Sequence, residues 1–501
     1  MTLDGAVNAG SKPSDKPGLE SSLPVTSILA EWVASVEPSV ITPSVRVKVN
    51  ELILDYLGIT AAAAKTSEST PPIVAAISSL SPGHGNGNCT VVATGSGYAP
   101  HIAALLNGTF AHSLDFDDTH APSTLHPGVT SISAALACAE SLSESRQDND
   151  RFLLSVMVAY EITCRLGTEL GYAAYSRGFH NTSTAGIFGA IGAISVLKRL
   201  SAATVANAFG LAGSRAAGSM QYLDNGSHNK RLHPGFACHD AFVCVALAEQ
   251  GVIGATRIIE GKMGFLHAYS PAGDAMNLSR LVHGLGSDWR FTATALKPYP
   301  ACRMTHSVIE IAGDMGQKHA AKEVKRIEIR LKTANMSLVG ERTPNKVHPK
   351  TEVDGQFSAY FQCAHAWLYG SDQGVQAYTR LDDRDIYELS DKIECVVDND
   401  EPATAEMGCA VRVEFENGKR EDIKMKYPLG EKEHPFKREQ VEKKFRVLVA
   451  AFWDEERRGK VMEAKETASE AKESEKDNEQ QDEKQPDNQR QKSKSKYSNL
   501  I

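Results

Sequence analysis

The run Ala185-Gly-Ile-Phe-Gly-Ala-Ile-Gly-Ala193 is apolar on every side and built mostly from small residues. A helix of that composition has no face to offer water, and its small side chains let neighbouring backbones come close. It belongs inside a core of several helices. Its neighbours in the chain supply them. Thr42-Pro43 reads as an N-cap with a first-turn proline. Val45, Val49, Leu52, Ile53 and Tyr56 then recur at the spacing of one helix face. Ala99 to His112, Val129 to Leu142 and Phe152 to Leu166 read as further helices. An all-α domain is expected over residues 25–290.

After residue 290 the apolar period changes. Val324, Ile327, Ile329 and Leu331 are interleaved with Arg326, Glu328 and Arg330, the pattern of a half-buried strand. Val411 to Phe415 and Ile423 to Tyr427 flank Asn417-Gly418, a hairpin signal of open loop length. Phe357 to Leu368 between them looks helical. Residues 291–428 are therefore expected to form a smaller α+β unit, with residues 429–463 returning to the helical domain through a helix over Arg438 to Trp453. The fold class is mainly α. Residues 1–24 read as a disordered arm, and residues 464–501, almost free of apolar side chains, as a charged disordered tail able to extend a solvated helix.

The 501 residues carry a net charge of -8, which argues against nucleic acid as a partner. No apolar run reaches the length of a membrane span, and the start resembles neither a secretory signal nor a transit peptide. The nine cysteines are scattered singly with no C-x-x-C pair, so no disulfide framework or zinc site is written in their spacing. A reduced, cytoplasmic setting is expected, with a mitochondrial one left open.

Between two helical runs stands Asp115-Phe-Asp-Asp-Thr-His-Ala-Pro-Ser-Thr-Leu-His126-Pro-Gly. Three carboxylates and two imidazoles at a helix junction suit the floor of a polar pocket, since buried charge is costly unless it is paired. Three more polar clusters follow, at Ser176 to Thr184 around His180, at Asn229 to Gly235 with Lys230 and His233, and at Lys297 to His306 with Arg303. Singly, each reads as easily as a cap, a turn or a rigid linker. Together they sit at helix starts or at the seam between the two units, where anions are favoured. Lys230, Lys297 and Arg303 suit a polycarboxylate, and His126 and His180 suit acid/base work. The Gly-rich loop around His84 lacks a phosphate-binding context, and His267, His283, His319, His348 and His434 read as surface groups. No nucleophile elbow and no H-E-x-x-H motif occurs.

At these clusters the chain resembles the MmgE/PrpD family, which contains 2-methylcitrate dehydratases and cis-aconitate decarboxylases. The matching pieces are Leu114 to Thr119 with Leu125-His-Pro-Gly128, Gly178-Phe-His180 with Thr184-Ala-Gly186, and Lys230-Arg-Leu-His-Pro-Gly235. Lys297-Pro-Tyr-Pro-Ala-Cys302 with Thr305-His306, and Tyr427-Pro-Leu-Gly430 with Lys443-Lys-Phe445, complete them in order. The resemblance implies a helical domain with an α+β lid, an active site in the cleft between them, a homodimer, and catalysis without metal or organic cofactor. It places Asp115, Thr119, His126, His180, Lys230 and Lys297 at that site. Animal decarboxylases of the family carry His where Cys302 stands, while the dehydratase-like members commonly carry Cys, as does a fungal decarboxylase, so the position weakens the decarboxylase reading without excluding it.

The reaction expected is loss of water from 2-methylcitrate or a longer alkylcitrate. Lys230, Lys297 and Arg303 would hold carboxylates, with His233 beside them. His126 and His180 would serve as the acid/base pair, Asp115 would orient one imidazole, and Thr119 would hydrogen-bond the substrate. The rivals are decarboxylation of cis-aconitate to itaconate, an isomerase or epimerase working α to a carboxylate, and a scaffold without turnover. Unpaired buried charges at these positions would tell against the scaffold.

Overall fold

The computed structural model describes residues 23–80, 87–143, 148–270, 277–399 and 407–470. The Gly-rich loop around His84 and almost all of the arm and tail lie outside them. The described chain is mainly helical, with two small sheets. Its apolar residues form two buried clusters, one running from Val25 to Leu296 and one centred on residues 301–415.

The first cluster is built around the helix Gly186–Lys198, every residue of which is buried as far as Leu197. The small residues earn their place there by contact. A Cβ added at Gly189 would stand 2.5 Å from the carbonyl oxygen of Ala159 and also meet Thr163, and one at Gly192 would stand 2.7 Å from Ile162 Cδ1. Both neighbours belong to the long helix Asn149–Ser176, which extends past the expected Leu166 and breaks its helical dihedrals at Gly171. The helix Pro43–Thr66 starts with Thr42 accepting from the Val45 amide, and it buries Val45, Val49, Leu52, Ile53 and Tyr56 as its spacing predicts.

A second close approach positions the site. Where the helix Pro100–Ser113 crosses the helix Asn229–Glu249, a Cβ on Gly108 would lie 3.2 Å from Gly235 Cα. That crossing brings the first turns of the second helix, with Lys230 and His233, beside the end of the first.

The two-stranded sheet pairs β1 (Cys89–Val91) with β2 (Gly95–Tyr98). The larger sheet contains β3 (Val324–Leu331), β4 (Ile393–Val397), β5 (Cys409–Phe415) and β6 (Arg420–Met425), in the order β4-β3-β5-β6. Pairing of β3 with β4 is parallel, and the other two pairings are antiparallel. The pairing shifts register between Val324 and Arg326, which explains why the buried residues run 324, 327, 329, 331 rather than strictly every second position. The hairpin turns at Asn417-Gly418, with Gly418 at φ +84°, and its second strand begins at Arg420, three residues before the expected Ile423. The helix Ala359–Tyr369 packs with this sheet.

Helix Arg438–Val449 returns to the first cluster, burying Val441, Phe445 and Leu448, with Phe445 3.1 Å from the Cβ position of Gly58. A further helix, Glu455–Glu470, follows it. All nine cysteines are buried free thiols. Among the described residues no helix is long and apolar enough to cross a membrane.

Candidate active site

The helix Pro100–Ser113 ends where the chain must turn, and Asp115 takes the turn at φ +50°. That left-handed conformation is uncommon outside glycine and needs support from its surroundings. Two ammonium groups supply it. Lys297 Nζ donates to the carbonyl oxygen of Asp115 at 2.7 Å, and Lys444 Nζ to that of Phe116 at 3.0 Å. Lys444 also pairs with Asp55 at 2.7 Å and lies over the Phe116 ring.

The Asp115 carboxylate meets Lys230 through one oxygen and Lys297 through the other at 3.3 Å. All three side chains are buried. Burial alone would push the Asp115 carboxyl up, but Lys230 and Lys297 outweigh it and hold the group well below the usual carboxylate range. Burial in turn lowers the Lys297 ammonium, against the pull of Asp115. Two ammoniums on one carboxylate leave a net positive floor, and each still has N–H groups to give. Thr119 stands beside this floor, its backbone bridged to Ala295 by bonds of 2.9 and 2.7 Å, two residues before Lys297.

Asp117 serves the imidazoles. Its Oδ2 lies 2.8 Å from His112 Nδ1 and 3.1 Å from His126 Nδ1. His126 Nδ1 is also 2.9 Å from the Asp118 carbonyl oxygen. Burial would raise the Asp117 carboxyl, but the two histidines hold it well below its ordinary value, so it is ionised and accepts. Both Nδ1 atoms then carry hydrogen, and Nε2 of each ring is left as the basic nitrogen. Burial takes His112 down to about 3. Asp118 behaves oppositely: burial raises it to about 7, although it accepts from Tyr160 Oη at 2.6 Å and the Gly128 amide at 3.0 Å.

A cavity of 60 Å³ collects Asp115, Thr119, His126, Lys230 and Lys297 on its polar side. That space holds a few waters, so the cleft must widen to admit a tricarboxylate. Asp115 and Lys297, 182 residues apart in sequence, thus meet at one cavity.

Several expectations need correction. Asp115 does not orient an imidazole, because its oxygens are taken by the two lysines; Asp117 does that work. The buried lysines are correspondingly paired, not unpaired. Arg303 borders the cavity, but its guanidinium donates to Glu431 at 2.8 Å and to the Leu429 carbonyl at 2.8 Å, and contacts His306 at 2.8 Å. It braces the 427–430 turn and is not a free carboxylate clamp. His180 is buried one layer behind the cavity. Its ring stacks on His112 at 5.4 Å between centroids, and its Nδ1 lies 3.0 Å from His233 Nδ1. Burial keeps His180 well below its ordinary value, with His233 adding to the effect, and holds His233 itself at about 4. Among the histidines read as surface groups, His283 and His434 are exposed, while His267, His319 and His348 are half-buried.

Sequence reasoning passed over His112, which hides in a helical run, and gave Asp117 no role although it lies in the motif. It also missed Met304, Phe357 and Met407 in the lining of the cavity. The donor atoms of His112, Asp117 and His126 lie within 4.8 Å of one another, close enough to suggest a metal triad. Their contacts are those of hydrogen bonds, with the Asp118 carbonyl oxygen crowding His126 Nδ1.

The MmgE/PrpD N-terminal domain model matches residues 27–276, and the MmgE/PrpD C-terminal domain model matches residues 299–468. A cis-aconitate decarboxylase-like protein, oryM, of Aspergillus oryzae is 26% identical over 86% of this chain and 92% of its own length. The cis-aconitate decarboxylase of Aspergillus terreus is 25% identical over 86% and 91%, and that of Homo sapiens 27% identical over 71% and 74%. On the two domain matches, which between them take in every residue lining the cavity except Lys297, the chain belongs to the MmgE/PrpD family.

Proposed function

We propose that this chain is a lyase that removes water from 2-methylcitrate or a longer alkylcitrate to give the alkyl-aconitate, without an organic cofactor or a metal. The observation that carries the reading is a single cavity holding an Asp117-oriented imidazole, His126, beside the ammonium groups of Lys230 and Lys297. Substrate carboxylates accept the N–H groups that Asp115 leaves unused, and the same donors take up the negative charge that develops when the adjacent carbon loses its proton. His126 Nε2 takes that proton. The electron pair forms the carbon–carbon double bond, and the carbon–oxygen bond to the tertiary hydroxyl breaks.

The departing hydroxyl takes its proton from Lys297, whose ammonium burial has already made more acidic. This replaces His180 in the acid role, since His180 does not line the cavity. Thr119 hydrogen-bonds the substrate beside it.

The second reading is decarboxylation of cis-aconitate, favoured by the similarity to the cis-aconitate decarboxylases of Aspergillus terreus and Homo sapiens. It would use the same lysine floor, with His126 returning a proton to carbon. A panel of citrate, 2-methylcitrate, longer alkylcitrates and cis-aconitate, followed by mass spectrometry, separates the two. Loss of water from an alkylcitrate supports the lead. Loss of carbon dioxide from cis-aconitate supports the second reading, and tricarboxylate binding without turnover supports a scaffold. A chelator is expected to leave the rate unchanged; loss of activity would put a metal at His112, Asp117 and His126.

A further inference from the structure

The cavity has two chemically different sides. The buried charges Asp115, Lys230 and Lys297 come from the helical domain and its border, while the α+β unit contributes the apolar side chains Met304, Phe357 and Met407 to the lining. These three belong to the second apolar cluster, and each is buried, Met304 and Met407 at 8% exposure. Their backbones are anchored. Met304 lies in the short turn Arg303–Thr305, which begins at Cys302, and the Cys302 amide donates to the Gln356 carbonyl at 2.9 Å. Gln356 Nε2 reaches across to the Leu114 carbonyl at 3.2 Å, next to Asp115. The Met407 carbonyl accepts from Ser307 Oγ at 2.5 Å. The wall is thus held in register with the charged floor.

We infer that Met304 and Met407 form a subsite for the alkyl substituent of the substrate and set the chain length this enzyme accepts, an inference that rests on the alkylcitrate reading. A tricarboxylate without a substituent has nothing to place against this wall. Any carboxylate turned toward it would lose its hydration without gaining a donor. A saturated chain loses nothing there and gains from leaving water. Methionine suits the task because its unbranched side chain rearranges around ligands of different shape, and a cavity of about 60 Å³ calls for such yielding. Phe357 marks the boundary between the two sides: its ring lies 5.2 Å from Lys230 Nζ and packs against Tyr222. The division assigns reaction chemistry to the helical domain together with Lys297 at its border, and chain-length selection to the α+β unit.

The test uses tricarballylates carrying no substituent or a methyl, ethyl, butyl or hexyl group. They lack the hydroxyl and cannot be dehydrated, so calorimetry reads binding alone. In the parent protein affinity is expected to rise about fourfold per added methylene until the wall is filled. In Met304→Ala and Met407→Ala the chain length of tightest binding is expected to move upward. Met304→Leu serves as the control for folding, with melting curves for all variants. Affinity independent of chain length in the parent, absence of binding, or an unmoved optimum in folded variants overturns the subsite. Chain-dependent affinity without loss of water from any alkylcitrate would leave the subsite standing and refute the dehydratase reading instead.

Discussion

Asp117 and His126 are joined through a contact of 3.1 Å between Oδ2 and Nδ1, and the same Oδ2 reaches His112 Nδ1 at 2.8 Å. One carboxylate oxygen therefore fixes two imidazoles in the same tautomer. Replacing Asp117 by Asn supplies an amide that cannot accept from both rings through a charged oxygen. We expect Asp117→Asn to lower kcat by about a hundredfold with a smaller change in KM. The acid limb of the rate profile should also move to lower pH, because the charge favouring an imidazolium is gone. An unmoved profile would reduce Asp117 to a structural role.

Asp115 is the only carboxylate bridging the buried ammoniums of Lys230 and Lys297 among the described ion pairs. Asp115→Asn leaves both without that counter-charge. The expected loss is about 3 kcal/mol in urea unfolding, the scale of breaking a buried pair from one side. A loss below about 1 kcal/mol would show that the lysines release their charge or find other partners.

Asp118 gives a pH signature of definite sign. Burial raises its carboxyl from 3.8 to about 7, so the folded state holds a proton that the unfolded chain releases at lower pH. Its contribution to stability is complete below 3.8 and is lost as pH rises to about 7. Asp118→Asn stays neutral throughout. Relative to the parent, the variant should gain in melting temperature between pH 4 and 7 and then level off. A difference that does not vary with pH would contradict the assignment.

Gly189 sits where the helices Gly186–Lys198 and Asn149–Ser176 nearly touch, with the Ala159 carbonyl 2.5 Å from the position of an added Cβ. Gly189→Ala must push backbone aside. We expect a loss of about 1 to 3 kcal/mol, despite the better helix propensity of alanine. Unchanged or increased stability in chemical denaturation would show that the two helices can separate without cost.

What the sequence reveals is what is local. The face of Val45, Val49 and Tyr56, the small-residue helix and the alternation in β3 follow from spacing alone, and the fold buries them accordingly. His126, Lys230 and Lys297 are recognisable because polar residues accumulate at helix junctions, and they do meet at one cavity. Partnerships are less legible. That Asp115 pairs with lysines depends on the crossing of two helices at Gly108 and Gly235, which no period encodes. Arg303 looks like a free cation until the chain supplies Glu431, 128 residues later. His112 sits within a regular helical pattern and gives no sign of turning toward Asp117. Met407 comes from the opposite unit, so its place on the wall follows only from the packing of that unit against the charged floor.

The most direct test runs the parent and His126→Ala side by side on 2-methylcitrate and on longer alkylcitrates, with products identified by mass spectrometry. The account predicts an unsaturated tricarboxylate formed by loss of water in the parent, and a rate lower by about a hundredfold or more in a folded variant. Equal rates in the two proteins, or release of carbon dioxide from cis-aconitate with every alkylcitrate left intact, would contradict it.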